Sequence, residues 1–229
     1  TILKQLRRLG ASCDWSRTKF TLDDDYSKAV QQAFVKLYKD NLIYKGEKMV
    51  NWDPVGRTAL SDEEVIHKET SGKLWHFKYS IKDSNEFLIV ATTRPETMLG
   101  DTGIAINPND DRYKKLIGKS VILPIVNREI PIFADNYVDM DFGTGCVKVT
   151  PAHDPNDFEM GQRNNLETIN IMNPDATLNS NVPDSYKGLD RYQARKKVVE
   201  ELESLNLLDK IENYTHQVGH SERTDAVIE

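Results

Sequence analysis

Thr92-Thr93-Arg94-Pro95-Glu96-Thr97 and Lys148-Val149-Thr150-Pro151-Ala152-His153-Asp154-Pro155-Asn156-Asp157 concentrate the chemistry of this chain. Each follows an apolar, strand-like run, so each places hydroxyls, a cation and carboxylates at a strand end. Brought together they make a polar pocket with no activated nucleophile and no metal cage. Such a pocket suits a small hydroxylated, amine-bearing group and attack by water. In the first segment, Pro95 steers Arg94 out of the helical region. Thr93 with Glu96 three residues on also fits a capping box for a short turn ending at Gly100. In the second, Lys148 and Thr150 share one strand face while Val149 turns to the core. That face is solvated unless the 93–97 loop covers it. Asp154-Pro155-Asn156-Asp157 reads as an N-cap, a proline at the first helical position and an acid at the third. Asp154 is then committed to backbone N–H groups. Asp157 is free either to bind a ligand ammonium or merely to favour the helix dipole.

Other reactive residues carry weaker signals. His153 beside Asp154 raises a metal-dependent hydrolase using His153, Asp154 and Asp157, but there is no HExxH and no G-x-S-x-G. His216 and His220 are four apart in an extended stretch, a poor ligand pair. Lys114-Lys115 and Arg195-Lys196-Lys197 are the best basic patches; each reads as a solvated helix face able to touch phosphate. Cys13 and Cys146 have no CxxC partner, so two inert thiols, buried or half-buried, in a reducing compartment are expected.

The bulk numbers bound the answer. With 229 residues, 38% hydrophobic and 29% charged, the chain has room for one large core with flanking pieces. A net charge of −6 argues against a whole-surface electrostatic nucleic-acid binder, so any RNA contact must be local. No apolar run approaches the ~20 residues of a membrane span, and the N-terminus has no signal-peptide core. A cytoplasmic setting without membrane partners follows as the expectation. With no initiator Met, a fragment is expected.

The elements that must position the two segments are short. Residues 1–22 read as loop and turns. Asp23 or Asp24 can cap a helix to about residue 41, whose Ala29, Val30, Ala33, Phe34, Leu37 and Tyr38 should pack one face. Residues 42–46 and 48–52 read as two short strands around Gly46, ended by Asp53-Pro54. Residues 64–69 and 74–81 flank Ser71-Gly72-Lys73, a hairpin signal. Strands are expected at 87–91, 103–106, 120–123, 128–132 and 146–149. Helices are expected near 157–163 and 191–205, the latter with Ala194, Val198 and Leu202 in one row, followed by a strand at 207–213. Residues 179–184 read as a mobile loop. The fold class is α+β, a compact barrel-like β domain with helical insertions.

Together these motifs resemble the editing domain of the valyl type in the class I aminoacyl-tRNA synthetase family. The likeness runs from Arg8-Leu9-Gly10-Ala11-Ser12 and Asp14-Trp15-Ser16 through Asn51-Trp52 and Gly100-Asp101-Thr102 to Gly219-His220-Ser221-Glu222-Arg223. The HIGH-like and KMSKS-like signatures of adenylate formation are absent. The resemblance therefore implies an insertion with its stems: an N-terminal helical stem over 1–53, the editing domain over 54–213 and an exit stem over 214–229. It implies hydrolysis of mischarged threonyl-tRNA(Val), and of threonyl adenylate, with valyl-tRNA(Val) spared. A non-catalytic module docking the tRNA acceptor end is the alternative. The implied partners are that acceptor end and the rest of the synthetase chain. No cofactor or metal is implied, ATP serving only the absent catalytic core. A hydrophobic valine pocket separates threonine by only about a hundredfold, a figure established for this enzyme class and not obtained from this chain. A second, polar site must invert the preference. By resemblance Arg94, Thr97, Lys148, Thr150, Asp154 and Asp157 line it. Asp157 takes the α-ammonium, Lys148 and Thr150 read the hydroxyl, and Arg94 and Thr97 orient the terminal adenosine or hold the loop. Backbone N–H groups at Thr92 or Thr93 steady the oxyanion, which places Thr93 with Asp157 among the catalytic positions, and a ribose hydroxyl assists proton transfer.

Overall fold

The computed structural model describes all 229 residues. They form two units, Thr1–Lys48 and Met49–Glu229. In the first, helix α1 (Ile2–Arg8) occupies part of the stretch expected to be loop. Its residues are good helix formers, and Arg7 and Arg8 in the last turn suit the dipole. Asp14 caps a 3-10 turn at Trp15–Arg17, accepting from the Ser16 N–H. Helix α2 (Asp24–Lys39) has Asp24 and Asp25 in its first turn and Lys36 and Lys39 in its last. Asp23 is its N-cap residue, but the Asp23 carboxylate accepts from the Phe20 N–H instead of a helical one. The helix buries no residue; Val30, Phe34 and Leu37, expected to pack, are exposed. Cys13 is also exposed, against the expectation for it, whereas Cys146 is buried; both are free thiols.

In the second unit, β1 (Asn51–Asp53) pairs with β2 (Thr58–Leu60). Of the two strands expected around Gly46, the first is absent and the second survives only at Asn51 and Trp52 of β1, since residues 42–50 have no regular structure. Asp53 holds this small ribbon: it accepts from Val55 N–H, Gly56 N–H, Ser221 Oγ and Thr224 Oγ1. Burial pushes its carboxyl up, but those four donors outweigh burial and hold it at about 2.

The main sheet has seven strands. The expected hairpin at Ser71-Gly72-Lys73 does not form: β3 (Val65–Ile81) runs straight through it. Its partner is distant in sequence, with Val65 opposite Ser221 and Gly72 opposite Tyr214. The turn signal is overridden because a second long strand satisfies the backbone on both sides of Gly72. The remaining strands are β4 (Phe87–Thr92), β5 (Gly103–Ile106), β6 (Ser120–Leu123), β7 (Arg128–Ala134), β8 (Cys146–Val149) and β9 (Leu208–Ser221). The strand order is β4-β3-β6-β7-β5-β8, with β9 on β3. Only β5 and β7 run parallel. The ends of this row approach each other, and Thr144 Oγ1, just before β8, donates to Ile89 O of β4 at 2.6 Å. The sheet is thus curled into a half-barrel, and the α+β class stands.

Two helices complete the unit, α3 (Pro155–Arg163) and α4 (Arg191–Ser204). Phe77, Tyr79, Leu88, Val90, Ile104, Val121 and Ile132 fill the barrel. Ala194, Val198 and Leu202 of α4 are wholly buried and join that core. The 179–184 loop is tied down: Asn179 and Asn181 side chains both donate to Asn170 O, and Val182 is buried.

Candidate functional site

β4 ends at Thr92 and the chain turns at Arg94 into a 3-10 turn, Pro95–Gly100, every residue of which is buried. Thr92 Oγ1 accepts from the Arg94 N–H at 3.1 Å, and Thr97 Oγ1 donates to Arg94 O at 3.0 Å. The capping box of Thr93 and Glu96 does not form; no side chain caps this turn. Glu96 is instead wholly buried and takes a two-point contact from Arg195 of α4, at 2.7 and 2.8 Å. Arg195 is therefore a clamp, not part of a solvated basic face.

β8 delivers Lys148 and Thr150 against this turn. Lys148 is buried, and its Nζ donates to Thr97 Oγ1 at 3.0 Å, Asp101 Oδ1 at 3.0 Å and Thr150 Oγ1 at 2.6 Å. The covered alternative thus holds for the Lys148–Thr150 face. Asp101 has no exposed surface and also accepts from Thr150 Oγ1 at 2.6 Å and Tyr79 Oη at 2.8 Å. Burial pushes the Asp101 carboxyl up, and Lys148, Thr150 and Tyr79 pull against it.

The loop after Thr150 behaves as the sequence suggests at Asp154, whose Oδ1 accepts from Asn156 N–H at 2.8 Å and Asp157 N–H at 3.1 Å. Asp157 is buried, and one oxygen accepts from the Thr150 N–H at 2.8 Å. Desolvation pushes its carboxyl up to about 7; Lys148 opposes this and Asp154 adds to it. His153 Nε2 accepts from the Ile171 N–H at 3.1 Å. Burial, with the Arg94 cation nearby, drives its pKa down to about 4, so it is neutral at pH 7. His153 is a structural hydrogen-bonding residue. Arg94 donates to His153 O at 2.9 Å, pairs with Glu229 and lies 3.5 Å from Glu96. Burial works against its charge, but Glu229 and Glu96 outweigh that and raise its pKa.

All seven positions singled out in the sequence therefore meet. A cavity of about 330 Å³ is lined by Thr93, Arg94, Thr97, Lys148, Thr150, Asp154 and Asp157. A second, of about 590 Å³, adjoins it and shares Thr93, Arg94, His153, Asp154 and His216. Phe142 and Tyr214 stand at the smaller cavity, 6.1 Å apart edge to face, with His216 stacked on Tyr214 at 5.5 Å. No group of three or more His, Cys, Asp or Glu side chains is placed to hold a metal ion.

Sequence reasoning missed Tyr79, Glu96 and Arg195 as parts of this site, and it had no role for Asp101. Asp101 carried a signal, an acid between an apolar turn and an apolar strand. Tyr79 carried none, because one tyrosine among alternating core residues is indistinguishable from packing.

Comparison with known proteins gives the family. The model of the family tRNA synthetases class I (I, L, M and V) matches residues 1–218. The chain is 56% identical over its full length to a valine–tRNA ligase of Francisella tularensis subsp. tularensis, covering 25% of that protein. It is 58% identical to those of Bacillus subtilis (strain 168) and Thermotoga maritima, covering all of this chain and 26% of each. The chain thus spans about a quarter of the length of these relatives. A solved ternary complex of a LeuRS from Agrobacterium radiobacter K84 with tRNA and LeuAMS aligns with 94% of this chain and 35% of its own, at 21% identity and a TM-score of 0.49. With a family model spanning nearly all of its residues and end-to-end likeness to valine–tRNA ligases, this chain belongs to the class I tRNA synthetases.

Proposed function

We propose that this chain is the hydrolytic editing part of a valine–tRNA ligase. It removes threonine from mischarged threonyl-tRNA(Val), and from threonyl adenylate, and spares valyl-tRNA(Val). The observation that carries this reading is the convergence of Thr97, Lys148, Thr150 and Asp157 on one small cavity. The side chain of threonine differs from that of valine by a hydroxyl in place of a methyl. A wall of hydroxyl oxygens and a carboxylate welcomes the first. Valine would leave those polar atoms desolvated and unpaired, at ~1–3 kcal/mol each. One or two such atoms give roughly tenfold to several-hundredfold rejection.

Asp157 receives the substrate α-ammonium; the cation restores the ionised form that burial disfavours. Thr97 and Thr150 meet the side-chain hydroxyl over Lys148. The adjoining larger cavity takes the terminal adenosine, with Arg94 and Asp154 at the boundary of the two. Thr93 lies at the same boundary, so the ester carbonyl falls beside the 92–93 backbone, whose N–H groups steady the developing oxyanion. Water attacks that carbonyl, and a ribose hydroxyl relays the proton, since His153 Nε2 is already engaged by the Ile171 N–H. The remainder of the synthetase supplies the tRNA grip, and ATP serves only the core that charges tRNA. The setting is the cytoplasm.

The test is release of amino acid from threonyl- and valyl-tRNA(Val) by the full-length enzyme and its Asp157→Ala variant. The reading expects threonine release at least tenfold faster than valine release, abolished in the variant. Tight tRNA binding with no release of either amino acid would replace it with the docking module. Release blocked by chelators would replace it with a metal-dependent hydrolase.

A further inference from the structure

Behind the cavity wall, Tyr79 and Asp101 do not line the cavity, yet Asp101 takes the Thr150 proton and one Lys148 proton of its wall. Lys148 has three N–H donors, and they go to Thr97, Asp101 and Thr150. Thr150 has one hydroxyl proton, and it goes to Asp101 Oδ1. Thr97 has one, and it goes to Arg94 O. Three donors converge on Asp101: the Lys148 ammonium and the Thr150 hydroxyl on Oδ1, the Tyr79 hydroxyl on Oδ2. An ionised carboxylate has the lone pairs to accept all three. What remains for a ligand is one lone pair on Thr97 Oγ1 and one on Thr150 Oγ1.

We propose that Asp101, held by Tyr79, is a positioning and specificity-determining pair that commits the Thr150 proton and one Lys148 proton inward, so that Thr97 and Thr150 read the substrate hydroxyl as a hydrogen-bond donor. Lys148 then acts through the threonine hydroxyls it orients and does not itself grip the substrate. This rests on the hydrolytic reading above and deepens it. Placement supports it. Asp101 follows Gly100, where a Cβ would come within 3.0 Å of Ile169 O and 3.3 Å of Thr150 Cγ2. The backbone approach that sets Asp101 against Thr150 therefore leaves only tight room for a Cβ. Arg128 Nη1 fixes the other side of Asp101 by donating to its backbone oxygen at 3.0 Å.

The test uses the full-length enzyme and tRNA(Val) carrying threonine, 2-aminobutyrate (threonine without its hydroxyl) or 2-amino-3-fluorobutyrate (an acceptor of similar size with no donor). Wild type should cleave the threonyl ester at least tenfold faster than the other two by kcat/KM, with the fluoro ester behaving like the aminobutyryl one. Tyr79→Phe should cut the threonyl-to-aminobutyryl ratio severalfold and leave aminobutyryl cleavage within twofold. Asp101→Asn should bring the ratio close to one. A purely structural role would slow all three esters in parallel, and that result overturns the proposal. So does a fluoro ester cleaved as fast as the threonyl one, or a ratio unmoved in Tyr79→Phe, the conservative change that tests the idea even if Asp101→Asn fails to fold. Failure of wild type to cleave threonyl-tRNA(Val) at all overturns the hydrolytic reading; cleavage with an unmoved ratio overturns only the positioning pair.

Discussion

At the scale of residues, a carboxyl with a pKa of about 7 inside a cavity wall is an unstable holding that a ligand can relieve. Asp157 binds a proton in the folded state that the unfolded chain releases near pH 4. The folded state therefore carries more protons between about pH 4 and 7, and stability falls as pH rises through that window. Asp157→Asn keeps the acceptor for the Thr150 N–H and removes the charge. Its stability should equal that of wild type near pH 4 and exceed it by roughly 2–4 kcal/mol above pH 7, read by denaturant titration at both pH values. Its kcat/KM for threonyl-tRNA should fall at least tenfold and lose the limb that rises through about pH 7 in wild type. Lys148→Met tests the opposite balance. It strands the buried Asp101 charge, so roughly 3–5 kcal/mol of stability should go. A change below 1 kcal/mol would show that the ion pair is not formed.

At the scale of elements, α3 is what brings Asp157 to Thr150, and its seat is a glycine. A Cβ at Gly161 would meet Pro151 Cγ at 2.7 Å. Gly161→Ala should push α3 off the strand end, lowering stability by about 1–3 kcal/mol and slowing threonyl-tRNA cleavage without changing either cavity's residues. Equal melting temperature and equal rate would remove this role. The start of α3 was legible in the sequence because capping is local chemistry: Asp154, Pro155 and Asp157 are adjacent, and Asp154 does accept from two N–H groups. The strands from 87 to 149 were legible for the same reason, through alternation and turn residues. Elements settled by distant partners were not. Ser71-Gly72-Lys73 looks like a turn until β9, over a hundred residues on, is there to pair with it. Glu96 looks like a cap residue until Arg195, ninety-nine positions later, claims both its oxygens. The buried row of α4 was readable from its own spacing, whereas the partners of its charged residues were not.

At the scale of the whole molecule, every buried hydrophobic residue lies between Leu60 and Leu202, so residues 49–229 hold a complete core of their own. A chain lacking residues 1–48 should unfold cooperatively within about 3 °C of the same transition in the 229-residue chain, as followed by calorimetry; loss of the transition would show that the core depends on the removed segment. The barrel's curl is what turns two sequence-distant strand ends into one wall, and the proposed activity depends on that wall receiving an aminoacyl group in a single orientation. The most direct measurement is a crystal structure of the enzyme with a stable amide-linked analogue of 3′-threonyl-adenosine. The account predicts the amino group within about 3 Å of the Asp157 carboxylate, the side-chain hydroxyl on Thr97 and Thr150 oxygens, and adenosine in the larger cavity. A threonyl group lying in the larger cavity, or an amino group turned away from Asp157, would contradict it.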